Sequence, residues 1–162
     1  MPDLQRLRLD HASALFAFEQ ENRAYFAASI PDRGDDYFAR FADRHAALLA
    51  EQAAGGCHFH VLVDDRGQVV GRVNLIDVAD GSAELGYRIA EAAAGQGLAT
   101  NAVRQVCALA ATEYGLITLR AATTLDNLGS RTVLARTGFT VIAETVFDGR
   151  PGLRYERNLQ PA

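Results

Sequence analysis

Between residues 83 and 114 an alternating apolar run, a turn with two glycines and an amphipathic helix follow one another. The turn reads Ala94-Gly95-Gln96-Gly97-Leu98-Ala99-Thr100. A strand that feeds so long a crossover does not return as a hairpin partner; the next strand lies parallel to it, or nearly so, in the same sheet. The glycines add a second constraint. Without a Cβ the backbone approaches a ligand closely, and the helix leaves its first N–H groups unpartnered and pointing back at the turn. These parts together make an anion site, most often for phosphate. A purely steric role for the glycines fits the same seven residues. Two other phosphate motifs do not fit. Thr100 stands where a dinucleotide fingerprint needs a third glycine, and a P-loop needs a lysine, which this chain lacks altogether.

The remainder reads as one domain over 1–162. A chain of 162 residues is long enough to bury a core, and 49% hydrophobic with 22% charged residues is a globular composition. The formal net charge of −4 argues against nucleic acid as a partner, since sequence-independent binding needs a basic surface. Cys57 and Cys107 are too few for a disulfide scaffold, and Cys107 falls on a helix face as a small buried hydrophobe. No signal peptide and no apolar stretch of roughly 18 residues is present, so no membrane association and a cytoplasmic location are expected.

In chain order, Leu4 to Leu9 make a short strand, and Asp10 caps a helix running to about Tyr25. Pro31, Gly34 and Asp35-Asp36 break the chain before a second helix over 35–53, which Gly55-Gly56 end. Phe59–Val63 and Gln68–Val78 form a hairpin about Asp64-Asp65-Arg66-Gly67, and Ala83–Ile89 is a third sequential strand. After the glycine turn a helix runs from about Gly97 to Tyr114, with Leu98, Ala102, Val106, Leu109 and Ala110 on one face. Ile117–Leu125 is a strand, Asn127 opens a short helix ending at Thr137-Gly138, and a last hairpin turns through 148–152. The order β, α, α, β, β, β, α, β, α, β, β predicts a mixed α/β sheet of about seven strands with helices on both faces. In such sheets ligands sit at the carboxyl ends of diverging strands, where the glycine turn falls.

With this order in place the chain resembles the GNAT superfamily of acyl-CoA-dependent N-acyltransferases along nearly its whole length. The family's pyrophosphate turn reads Gln/Arg-x-x-Gly-x-Gly/Ala. Ala94 to Ala99 match it at the fourth and sixth positions and depart at the first, where Ala94 lacks the long polar side chain. Asn127-x-x-Ser130 followed by Gly138-Phe139 is a second matching block. Glu84-Leu85-Gly86-Tyr87 with Gly97-Leu98-Ala99-Thr100 is similar to the branch of the ribosomal-protein N-terminal acetyltransferases RimJ and RimL. The resemblance implies acetyl-CoA as co-substrate, with no metal. It implies transfer to a primary amine, on a peptide or a small molecule, by direct transfer in a ternary complex, and it is compatible with a homodimer. Fold does not carry the substrate. A coenzyme-binding sensor without catalysis, to which the loss at Ala94 points, and another acyl-CoA donor are the alternatives.

Acetyl transfer to an amine requires a base, a polarised carbonyl and stabilisation of the departing thiolate. An aliphatic amine has a pKa of about 10, so a general base helps at neutral pH. By resemblance Glu84 is the base; a strand glutamate facing water or an arginine is the alternative. The backbone of Tyr87, Arg88 and Ile89 is expected to bond the pantetheine arm like an added strand and to polarise the thioester. Gly95, Gln96, Gly97, Leu98, Ala99 and Thr100 are expected to hold the pyrophosphate. Asn127 is expected to reach the pantetheine or to cap its helix. Leu134 stands where many family members have a proton-donating tyrosine, and Ser130, on the same short helix, is the candidate to stabilise the thiolate. Cys57-His58-Phe59-His60 lacks a second ligand pair with zinc spacing, so the histidines are expected to border the acceptor groove or face solvent. Of Tyr25, Phe26, Tyr37 and Phe38, which the resemblance places along the acceptor site, at least half are expected to be core.

Overall fold

The computed structural model describes residues 1–147 and 149–160. The first half of the chain runs β1 (Asp3–Arg6), α1 (Ala12–Glu21), α2 (Arg23–Ala27), α3 (Asp35–Ala39), α4 (Phe41–Ala53), β2 (His58–Val63), β3 (Val69–Ala79) and β4 (Ser82–Ile89). The second runs α5 (Leu98–Thr112), β5 (Thr118–Thr124), α6 (Leu128–Arg136), β6 (Thr140–Phe147) and β7 (Arg150–Asn158), with 3₁₀ turns at Leu9–His11 and Glu91–Ala93. Seven strands form one mixed sheet in the order β1-β2-β3-β4-β5-β7-β6. This is the expected architecture. No helix among the described residues is long and apolar enough to cross a membrane.

Local chemistry sets the hairpins. The Asp64 carboxylate accepts from the Arg66 and Gln68 N–H groups, both at 2.9 Å, and Gly67 takes the positive φ that closes the β2–β3 turn. The long crossover is α5, which buries Leu98, Ala102, Val103, Val106, Cys107 and Ala110 against the sheet. Each fully buried valine there contributes about 1.5–3 kcal/mol.

The crossover makes β4 and β5 parallel, but only over Ser82–Glu84 against Thr118–Arg120. Both strands then continue without each other. β4 stays paired to β3 as far as Ile89 with Gly71, and β5 to β7 as far as Thr124 with Gly152. The sheet therefore splits at its centre. Side-chain alternation places Glu84, Gly86 and Arg88 on the face of α1 and α2, and Leu85, Tyr87 and Ile89 on the face of α5 and α6.

Four expectations need correction. Asp10 does not cap a helix; it pairs with Arg8 at 3.1 Å, and the His11 Nδ1 accepts the Arg8 N–H at 2.9 Å instead. The single helix to about Tyr25 is two, because the Asn22 amide nitrogen turns back onto the Phe18 carbonyl at 2.9 Å. Its oxygen accepts the Glu91 N–H at 3.0 Å, which ties this break to the end of β4. The helix over 35–53 is likewise interrupted, at Arg40. In the last hairpin β7 begins at Arg150, so Pro151 and Gly152 pair with Val146 and Thr145; Asp148 lies outside the described residues. β7 then inserts between β5 and β6.

Candidate active site

The split between β4 and β5 opens into a cleft of about 930 Å³ that reaches both faces of the sheet. Beyond Glu84 the edge of β4 that faces β5 has no strand partner, so its N–H and C=O groups are open to an extended ligand. On the α5 side the cleft ends at the glycine turn. Gly95 and Gly97 hold φ of +76° and +75°, and a Cβ at either position would meet nothing within 4 Å. Gly97 is the N-cap of α5 and no side chain caps that helix, so its first-turn N–H groups are left to a ligand. The residues fit a pyrophosphate. Ala94, Gly95, Gly97, Leu98, Ala99 and Thr100 line the cleft, whereas Gln96 does not and is exposed.

Ser130 and Asn127 close the same side. Asn127 caps α6, its Oδ1 accepting the Ser130 N–H at 3.1 Å, and both residues line the cleft. Tyr87 is the residue that the sequence reading used only for its backbone. Tyr87 and Ser130 both line the cleft; burial pushes the Tyr87 phenol pKa above the ordinary value of 10, and nearby Ser130 offsets part of that rise. Leu134 is buried.

On the α1 side, Glu84 is half-buried and paired with Arg154 at 3.1 Å. Arg88 contributes backbone to the gap, and its side chain lies on this same α1 face, where it meets Glu19 at 3.0 Å and stacks on Phe26. Glu19 is 1% exposed and also binds Arg33 at 2.9 Å and Arg72 at 2.7 Å. Burial raises its pKa, and the guanidiniums of Arg72, Arg33 and Arg88 more than offset this, leaving it below the ordinary value. Arg33, Arg72 and Arg88 are all among the residues that line the cleft. Sequence reasoning missed this cluster. Its one signal was a carboxylate four residues after Leu15 on the buried side of α1.

Of the four aromatic residues Phe26 belongs to both the buried core and the cleft wall. Tyr25 and Phe26 line the cleft, whereas Tyr37 and Phe38 pack with Phe16 and Phe41. The expectation for His58 and His60 is overturned, for both are buried away from the cleft. His58 stacks on Tyr114 at 3.7 Å. His60 donates through Nδ1 to the Val73 carbonyl at 3.0 Å and accepts at Nε2 from the Tyr114 hydroxyl at 2.6 Å. Among the described residues no group of three or more His, Cys, Asp or Glu is placed to hold a metal ion.

Comparison with known proteins bears on this geometry directly. Residues 3–140 match the family model described as "Acetyltransferase (GNAT) domain". The probable N-acetyltransferase YjcK of Bacillus subtilis is 28% identical over 142 residues, covering 82% of this chain and 77% of that protein. Among solved structures, RimJ of Mycobacterium smegmatis, in complex with a coenzyme A disulfide, is 25% identical with a TM-score of 0.84 over 96% of this chain and 80% of that one. The ribosomal-protein-S5-alanine acetyltransferase of Vibrio fischeri has the same fold, with a TM-score of 0.90 at 19% identity over 98% of this chain and 94% of that one. The chain belongs to the GNAT acetyltransferase family: it is an acetyl-CoA-dependent N-acetyltransferase that acts on an amine-bearing substrate.

Proposed function

We propose that residues 1–162 work as one catalytic domain in which the acetyl group passes directly to the acceptor amine within a ternary complex. The observation that carries this reading is the split sheet, which gives one cleft two entrances. The glycine turn and α6 furnish the coenzyme entrance, and Glu84, Gly86 and the α1–α2 side furnish the acceptor entrance.

In this reading the unpaired edge of β4 at Tyr87, Arg88 and Ile89 holds the pantetheine arm and directs an N–H at the thioester oxygen. The N–H groups from Gly95 to Thr100 hold the pyrophosphate, with Gln96 contributing only backbone. Glu84 removes the amine proton, its carboxylate held in place by the hydrogen bond from Arg154. Ser130 stabilises the departing thiolate, and the Tyr87 phenol, which burial keeps protonated and which also lines the cleft, gives the sulfur its proton and regains one from water as coenzyme A leaves, while Glu84 releases the amine proton to solvent.

The acceptor is a peptide N-terminus or a small-molecule amine, and nucleic acid is no partner for a chain of net charge −4. The two buried free cysteines fit a reducing compartment, which supports a cytoplasmic location. A homodimer would use edge strand β6, where Val141, Ile142 and Val146 are exposed.

The test is an initial-rate study of thiol release from acetyl-CoA with peptide and polyamine acceptors. Direct transfer gives intersecting double-reciprocal lines and no acetylated protein by mass spectrometry. Parallel lines with a covalent acetyl-enzyme would contradict it.

A further inference from the structure

The acceptor side of the cleft is cationic in a protein whose net charge is −4. The charged residues along the whole lining are Arg33, Arg72, Arg88, Arg136 and Glu84, and Glu84 is already paired with Arg154. Arg33, Arg72 and Arg88 share the single carboxylate of Glu19. Three positive charges against one negative leave a surplus; Arg33 and Arg88 keep some contact with water, whereas Arg72 is nearly sealed from it, where an unbalanced charge is costly without a further partner. Arg72 is only 4% exposed, yet its Nε has no hydrogen-bond partner among the described residues.

A second unpaired atom lies beside it. The Asn74 Oδ1 is buried and has no partner among the described residues, and Asn74 also lines the cleft. In the β3–β4 ladder Arg72 faces Arg88 and Asn74 faces Gly86. A Cβ on Gly86 would meet nothing within 4 Å, so the floor is open there. Same-face positions along a strand are about 6.5–7 Å apart. A molecule seated over Gly86 therefore has a hydrogen-bond acceptor, Asn74 Oδ1, at one end and guanidinium donors at the other.

Building on the direct-transfer reading, we infer that the acceptor amine carries a carboxylate, received by Arg33, Arg72 and Arg88 while Asn74 Oδ1 accepts from the amine nitrogen. Guanidinium and carboxylate match in shape and charge. The same cations favour the neutral form of a nearby amine, the form that attacks a thioester. A polyamine would instead bring like charges together. The carboxylate comes either from a free amino acid or from an acidic side chain next to a peptide N-terminus.

Matched acceptors test this and separate the two sources. Thiol release is measured with alanine against alaninamide, and with Ser-Asp-Ala-amide against Ser-Asn-Ala-amide, with putrescine as the dicationic control. The expected result is a kcat/KM at least tenfold higher for the acid in one pair, with putrescine the poorest acceptor. The first pair identifies an amino acid, the second a peptide. Arg33→Gln then compresses the preferred ratio to within about threefold, and Arg33→Lys restores part of it; stabilisation by coenzyme A reports that each variant is folded. Calorimetric titration of the N-acetylated compounds into coenzyme A-loaded protein reads the preference without turnover. Selective binding of the acids with no thiol release would sink direct transfer and uphold the carboxylate site. Ratios under threefold in both turnover and binding, a preference for putrescine, or an undiminished ratio in Arg33→Gln would overturn the inference.

Discussion

Glu84 sits where β4 loses β5, so its carboxylate is beside the gap in which the direct-transfer proposal joins the reacting groups. Glu84→Gln keeps the shape and removes the basicity. Its kcat falls by about 10²–10⁴-fold with coenzyme affinity unchanged, and the deficit narrows at high pH, where the amine deprotonates unaided. An unchanged pH–rate profile would remove Glu84 from the base role. On the opposite side of the gap Ser130 and Tyr87 are neighbours, which divides a question the sequence posed for Ser130 alone. A donor that bonds only the developing thiolate is worth about 2.7–4 kcal/mol, so Ser130→Ala lowers kcat by roughly 10²–10³-fold without weakening acetyl-CoA binding. Tyr87→Phe separates proton supply from charge stabilisation. If Ser130→Ala keeps more than about half the activity while Tyr87→Phe loses it, the phenol is the group that matters and the serine is packing.

At the scale of elements, the turn before α5 depends on two left-handed glycines in open space. Nothing in the protein would clash with a side chain at Gly97, so a substitution acts through the backbone and the ligand. Gly97→Val costs about 1–2 kcal/mol from left-handed strain and removes stabilisation by coenzyme A, because the branched Cβ occupies the approach to the N–H groups. Thermal shift with and without coenzyme A checks this; an undiminished shift would mean that the pyrophosphate lies elsewhere. Elements were also the most legible part of the sequence. Turn chemistry at Asp64–Gly67, the glycine stop at Gly55 and the apolar face of α5 are local signals, and each lies where it was expected. The breaks at Asn22 and Arg40 were not legible. The Asn22 amide that turns back onto Phe18 is also held by a bond from Glu91, 69 residues away, that no local pattern contains.

For the molecule as a whole, the glycine-turn half of the cleft was legible and the Glu19 half largely was not. The glycine turn is contiguous in sequence. The Glu19 cluster draws on residues 19, 33, 72 and 88 and exists only once α1 has packed across β3 and β4. His58 and His60 misled for the same reason, since Tyr114 covers them from the end of α5. That cover has a consequence for acid stability. Burial lowers the His60 pKa from 6.5 to about 4, with the Val73 hydrogen bond offsetting part of the drop. Between those values the unfolded chain binds a proton that the folded chain refuses, so stability falls as pH falls through this window, by about 3 kcal/mol in all. Urea unfolding at pH 7 and 4.5 should show this loss, and His60→Gln should reduce it; equal losses in the two proteins would count against the burial argument.

In the direct-transfer proposal coenzyme and acceptor meet through the gap between β4 and β5 from opposite faces of the sheet. A crystal structure with a bisubstrate analogue, coenzyme A joined through its acetyl carbon to an acceptor amine, tests it most directly. The expected complex has the pyrophosphate at Gly95–Thr100, the pantetheine along the free edge of β4, the sulfur near Ser130 and Tyr87, and the acceptor over Gly86 on the α1 side. An analogue lying wholly on one face of the sheet, with the gap closed, would contradict it.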